Sequence, residues 1–277
     1  MRGIFAAGAL DVFLEENFRP FDLAIGVSVG ASNVLSFLAR QHGRTRRCFF
    51  DQMSRAEFID PWRIVRGGHW LDLDWLWDAI EREDPLDRRA AAASGVEYAL
   101  VATSVRTGEP RYLVPGVDDM LNTLKASCAL PVLYRNTVVV GGEHLVDGGL
   151  SDPIPVREAY RRGARTIVVI RSRAAHFVKT ESLGNHFGAW AMRREPGIAK
   201  ACRNAARVYR SAVAFLSAPP DDCKIIQVAP AKALATGRTS RNRAALDADY
   251  ELGRKLGRQA IDRFEALRSG EPLEMAG

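Results

Sequence analysis

The stretch Leu23–Arg40, "LAIGVSVGASNVLSFLAR", passes from a short apolar strand-like segment through a glycine-flanked serine into a helical pattern. Its centre, Gly26–Gly30 "GVSVG", fits G-x-S-x-G in the strand, sharp turn and helix context that this pattern requires. Gly26 and Gly30 suit such a junction because glycine supplies close packing and positive backbone dihedrals at little steric cost. A serine there sits at a helix N-terminus, where free amides and the helix dipole favour developing negative charge. With 23 glycines in 277 residues the bare pattern is weak, so the flanking "FDLAI" and "ASNVLSFLAR" carry the inference. They make Ser28 the candidate nucleophile.

Working outward, strand-like runs fall at 22–25, 98–104, 111–114, 137–140, 144–146, 166–170 and 224–228, with helical patterns at 6–16, 31–41, 118–129, 156–162, 199–216 and 243–268. The alternation predicts an α/β fold of three layers, with a mostly parallel central sheet flanked by helices. Gly141 and Gly142, between "NTVVV" and "EHLV", signal a hairpin and hence at least one antiparallel excursion. The segment 58–83 carries four of the five tryptophans and reads either as a cap over the core or as a helix packed on the sheet. In 205–217 the apolar residues cluster near one helical face, which suits a core-facing helix better than a membrane-surface one.

Hydrophobic residues at 47% and charged residues at 26% describe a globular chain, and no apolar run reaches the roughly 18 residues of a membrane span. Asp11, Glu15 and Glu16 interrupt any signal-peptide core, and Cys48, Cys128, Cys202 and Cys223 lack metal-ligand spacing, so the expected setting is a reduced cytoplasm. One domain spanning 1–277 is expected. The formal charge of +6 comes from scattered arginine clusters. No nucleic-acid motif accompanies them, which leaves a solvated basic surface or peripheral contact with an anionic membrane.

An activated serine needs a base. In the usual order Ser, Asp or Glu, His, the serine follows several strands, and Ser28 lies too early for that. None of His42, His69, His144, His176 and His186 has a surrounding pattern that marks it as the base. Asp147, in "EHLVDGGLSDPIP", emerges at a strand end, and Gly148 and Gly149 allow close approach. By itself "DGG" reads more readily as a plain turn. A carboxylate of ordinary pKa near 3.9 is a weak base for a serine proton, so a Ser-Asp dyad requires direct hydrogen bonding and a desolvated site.

Four blocks in order, "RGIFAAGALDVFLEE", "IGVSVGASN", "KASCALPVLY" and "VDGGLSDPIPV", resemble the patatin-like phospholipases of bacteria. The likeness covers roughly residues 1–170, with a weaker echo in "CKIIQVAPAKALATGR" and the terminal helix within 171–277. It implies that Ser28 is the nucleophile and Asp147 its base, with no metal or organic cofactor, and lipid acyl esters as substrates. The family's glycine-rich oxyanion loop, G-G-G-x-[RK]-G, is matched by Arg2 and Gly3 only, so its leading glycines and the first strand are expected to precede Met1. That departure keeps open a catalytically impaired lipid-binding or interaction module on the same scaffold. A Ser-His-Asp carboxylesterase is the third reading. Ser127, in the third block, reads as structural, a cap or loop-orienting hydroxyl near Asp147.

Overall fold

The computed structural model describes residues 1–180 and 192–269. In chain order its elements are α1 (Ile4–Glu15), β1 (Leu23–Val27), α2 (Val29–Leu38), α3 (Arg44–Arg47), α4 (Leu73–Glu83), α5 (Arg88–Ala92), β2 (Glu97–Ser104), β3 (Pro110–Leu113) and α6 (Met120–Cys128). They continue with β4 (Val138–Val140), β5 (Glu143–Asp147), α7 (Val156–Arg161), β6 (Thr166–Ile170), α8 (Pro196–Ser217), β7 (Lys224–Val228) and α9 (Arg243–Ser269).

The sheet corrects the expectation of a mostly parallel order. Five strands, β1 to β5, form one mixed sheet in which only β1 and β2 run parallel, while β3 and β5 pair antiparallel with β2 and β4 with β5. A separate parallel pair joins β6 and β7. Connection length explains the difference: β2 and β3 are joined by a tight turn, and β4 and β5 by Gly141 and Gly142, with φ of 57° and 80°. Both positive dihedrals match the twist of a two-residue hairpin and allow only antiparallel return.

β2 organises the rest. Residues from Tyr98 to Ser104 are all buried, and three neighbours use its two edges. Leu100 and Val101 pair with β1 as well as β3, so β1 and β3 occupy opposite edges. Ala102 and Thr103 pair with β3 and β5, so β5 continues the edge that β1 began. β1 ends at Val27 opposite Val101, and β5 ends at Asp147 opposite Ala102. Two strand ends therefore meet head to head on one edge.

Helices flank this sheet. One apolar cluster joins α1, α2, α4 and α9 and includes the rings of Phe13, Phe18, Phe21 and Phe264, whose centroids lie 5.0 to 6.0 Å apart, edge to face except for the tilted Phe13–Phe21 pair. α1 and α9 touch backbone to backbone, because a Cβ on Gly253 would lie 2.0 Å from the Phe5 carbonyl oxygen. A second cluster joins Ile154, Ile167, Val169, Tyr209 and Phe215 with Leu23 and Ile25 of β1. In the 205–217 segment Tyr209, Ala212, Phe215 and Leu216 are buried, so that amphipathic face serves the core and not a membrane. The tryptophan-rich segment divides: Trp77 is buried on α4, whereas Trp62 is 74% exposed. Among the described residues no helix is long and apolar enough to cross a membrane.

Candidate active site

Ser28 occupies the turn between β1 and α2 with φ 54° and ψ −131°, a positive-φ conformation for a residue with a side chain. Holding it costs on the order of 1–3 kcal/mol, which the strand on one side and the helix on the other must sustain. Gly26 makes the turn feasible, since a Cβ there would lie 2.4 Å from the Ala31 Cα. Gly30 has open space where a side chain would begin, so nothing in the packing demands glycine there. Ser28 itself is half-buried.

The strand-end geometry brings Asp147 to the serine. Ser28 Oγ donates to Asp147 Oδ2 at 2.6 Å across 119 positions of sequence, and the Gly149 amide donates to Oδ1 at 2.7 Å. Asp147 is 4% exposed. Its backbone is pinned on both sides: the amide donates to Ala129 O at 3.0 Å, and its carbonyl accepts from Thr103 Oγ1 at 2.8 Å. A Cβ on Gly148 would lie 2.2 Å from the Val101 carbonyl oxygen, so the residue after Asp147 has to be glycine for β5 to end this close to β2. Burial pushes the Asp147 carboxyl up to about 6, and the bonds from Ser28 and Gly149 and the charge of Arg238 oppose that rise without cancelling it. A carboxyl near 6 is ionised at neutral pH yet far more basic than a solvated aspartate.

Three further side chains complete the arrangement. Ser127 Oγ accepts from the Ser28 amide at 2.8 Å and donates to Val101 O at 2.6 Å, which ties the strained turn to β2 through α6. Asn33 is 2% exposed and donates through Nδ2 to Gly3 O at 2.9 Å, which fastens the start of α1 to α2. Desolvation, reinforced by the Asp147 charge and only partly offset by Ser28, pushes the Cys128 thiol well above the ordinary thiol range. It stays protonated at neutral pH. Ser127 had a structural reading in sequence, but nothing in the local pattern pointed to its bond with the Ser28 amide. Asn33 and Cys128 carried no signal of a role.

Arg2 and Gly3 stand beside the serine turn. Gly3 precedes the first residue of α1, and a Cβ on it would lie 1.9 Å from Val29 Cγ1, so the N-termini of α1 and α2 abut next to Ser28. First-turn amides have no intrahelical acceptor, and two such ends together make an electropositive rim around the hydroxyl.

The described histidines stand elsewhere. His42 pairs with Glu15 at 2.7 Å, His69 Nδ1 accepts from the Arg135 amide, His144 meets Thr137 Oγ1 and His176 is exposed. His186 lies outside the described residues. A large cleft of about 780 Å³, lined by Phe18, Phe21, Phe37, Phe264 and Arg258 among others, includes neither Ser28 nor Asp147.

Comparison with known proteins adds three findings. Residues 1–160 match the family model described as patatin-like phospholipase. Residues 195–268, which span α8 and α9, match a model described as a domain of unknown function, DUF6363. A protein of Escherichia coli (strain K12), named "Uncharacterized protein YjjU", is 37% identical over 262 residues, which are 93% of this chain and 73% of that protein.

Proposed function

The chain belongs to the patatin-like phospholipase family, and from that premise we propose that it hydrolyses lipid acyl esters through a Ser28–Asp147 dyad and an acyl-enzyme intermediate. The observation that carries this reading is the 2.6 Å hydrogen bond from Ser28 Oγ to a buried carboxylate. A hydroxyl already donating to its base needs no reorganisation before attack.

In the first step Ser28 Oγ attacks the ester carbonyl while its proton passes to Asp147 Oδ2. The negative charge that develops on the carbonyl oxygen falls next to the free amides at the start of α2, with the Gly3 amide alongside. Preorganised amides aimed at such a charge typically contribute a factor of about 10²–10³ each. Asp147 then gives its proton to the departing alcohol and returns to the carboxylate. In the second step it takes a proton from water, which attacks the acyl-serine, and Ser28 leaves with that proton. A carboxyl pushed up to about 6 suits both directions, since it can accept and release a proton near neutral pH.

Labelling with a serine-directed fluorophosphonate, followed by hydrolysis of a lysophospholipid, tests the reading. Stoichiometric labelling that disappears in Ser28→Ala, together with release of fatty acid by the unsubstituted chain, is expected. Absence of both would reject the hydrolase and leave a lipid-binding module without turnover.

A further inference from the structure

The tryptophan-rich segment contains a loop whose apolar side chains face water although its backbone is firmly held. Between Asp60 and Asp72 the chain turns through a 3₁₀ helix, Pro61–Arg66, that ends at Gly67 with φ 81°. Trp62 is 74% exposed, Val65 80% and Ile64 39%, which makes three exposed large apolar side chains on one short turn. Such residues scattered singly over a surface need no explanation, but a cluster does.

Slack does not account for the exposure. Ile59 and Leu71 form an antiparallel bridge, the Asp60 amide donates to Trp70 O at 3.0 Å, and the Asp72 amide donates to Phe58 O at 2.9 Å. Asp60 Oδ1 accepts from the Trp62 amide at 2.9 Å, and Arg63 donates to the Glu57 and Phe58 carbonyls and to Asp72. The loop is also fastened to the segment after α6. The Leu71 amide donates to Leu133 O at 2.9 Å, Arg135 Nη1 to Gly67 O at 2.8 Å, and the Arg135 amide to His69 Nδ1 at 3.1 Å. A loop ordered in advance loses little entropy when it binds.

The same segment reaches the dyad. It starts at Ala129, whose carbonyl accepts from the Asp147 amide, and turns through Leu130, whose carbonyl accepts from the Leu133 and Tyr134 amides. Val132 lies within that turn, 39% exposed and with φ 73°, a conformation that a β-branched residue adopts only when its surroundings impose it. The exposed loop and the backbone of Asp147 are therefore anchored to one turn of chain.

Charge narrows the partner. From Pro61 to Leu71 the sequence has two arginines and no acidic residue. Arg63 is engaged within the loop, but Arg66 and Arg135 are exposed and form no ion pair among the described residues. An indole beside valine and isoleucine, with free guanidiniums next to them, matches the surface of an anionic bilayer: the indole seats at headgroup level, the aliphatic groups beneath it and the arginines against lipid phosphates. A two-fold pairing of this patch with a second copy would set like charges against each other.

We propose that the loop 61–67 docks this protein onto an anionic lipid bilayer, with Trp62 and Val65 inserted at headgroup level and Arg66 and Arg135 against lipid phosphates. Docking there rests on the hydrolase reading only for its purpose, which is to bring ester-bearing lipid to the turn that holds Asp147.

Flotation of the full chain carrying Ser28→Ala with lipid vesicles tests the docking without turnover. Vesicles of phosphatidylcholine alone are compared with vesicles that also hold about 30% phosphatidylglycerol, whose surface attracts basic groups within a Debye length. Binding to the anionic vesicles is expected to be at least about tenfold tighter and to weaken at high salt. Trp62→Ser combined with Val65→Ser should lower it about tenfold or more, and Arg66→Gln about fivefold. Thermal midpoints should not fall, because all three side chains are exposed. Brominated acyl chains should quench the tryptophan emission of the bound protein, and Trp62→Phe should abolish that quenching while binding persists. Equal binding to the two vesicles, undiminished binding by the double variant, quenching that survives Trp62→Phe, or no binding to either vesicle would overturn the proposal. So would self-association, abolished by the double variant, in a chain that ignores vesicles, since the loop would then be an interface between copies. If the unsubstituted chain hydrolyses no acyl ester, the hydrolase reading fails alone, because flotation still decides the docking surface.

Discussion

Asp147 and Asp249 are buried to nearly the same degree, at 4% and 3% exposed, but they are surrounded differently. Asp249, on α9, accepts from the Ala235 amide at 3.0 Å through Oδ1, and from the Thr236 amide at 2.8 Å and the Thr236 hydroxyl at 2.6 Å through Oδ2. These are three local donors fixed by one loop, and none of them has another task. Among the described residues the Asp147 carboxylate accepts only from the Gly149 amide and the Ser28 hydroxyl, and the second of these must leave its proton behind during the proposed reaction. Burial with full satisfaction makes a carboxylate a fastener. Burial with one donor too few makes it a base, and the cost appears as the rise toward 6.

Exchanging the carboxylates tests that contrast most severely. Asp147→Asn removes the base and should lower kcat of ester hydrolysis by about 10³–10⁴-fold, the upper part of the range for general-base loss. The same change should raise stability at neutral pH. Because the folded carboxyl stands at about 6 against an ordinary 3.8, the folded protein holds a proton that the unfolded chain has already released between those values. Wild-type stability therefore declines as pH rises from about 4 to about 6 and stays lowered above that. Asn lacks this penalty, so in urea titrations its advantage should grow over the same window to at most about 3 kcal/mol. In the unsubstituted enzyme kcat/KM should climb through an apparent pKa near 6 and then level off. A limb near 4 would mean that Asp147 is not the titrating base.

Asp249→Ala should go the opposite way. It strands two amides and a hydroxyl in the interior, and chemical denaturation should report a loss of about 3 kcal/mol, the cost of orphaned donors to a buried charged acceptor. A neutral result would remove the distinction between fastener and base. The smallest effect expected is that of Ser127→Ala, which frees the Ser28 amide from α6. Relaxation of the strained turn should cost about ten- to a hundredfold in kcat with little change in KM, as positioning losses do. An equal fall in thermal stability and in rate would instead mark Ser127 as a general packing residue.

Much of the fold was legible because periodicity is local. β6 and β7 fall on the residues that alternation marks, 166–170 and 224–228, and α9 begins at Arg243 as its pattern predicts. Strand direction was not legible, since it depends on how each connection routes back, and the short returns into β3 and β5 produced a mixed sheet where alternation suggested a parallel one. The same limit applied to the site. Ser28 and Asp147 stood out by their glycines, but Asn33 and Cys128 sit in unremarkable helical surroundings. Their significance comes from groups distant in sequence, Gly3 for Asn33 and Ser28 for Cys128.

The sequence by itself determined the strand, turn and helix around Ser28, because the apolar run at 23–27, the clearance at Gly26 and the helical run after it act within a dozen or so residues. It also determined that a carboxylate would stand at a strand end before two glycines. Only the tertiary structure decided that the ends of β1 and β5 share one edge of β2 and that Asp147 loses its water there. Pairing at a separation of 119 residues and the desolvation that raises a carboxyl depend on which surfaces close over one another. No local pattern encodes that closure.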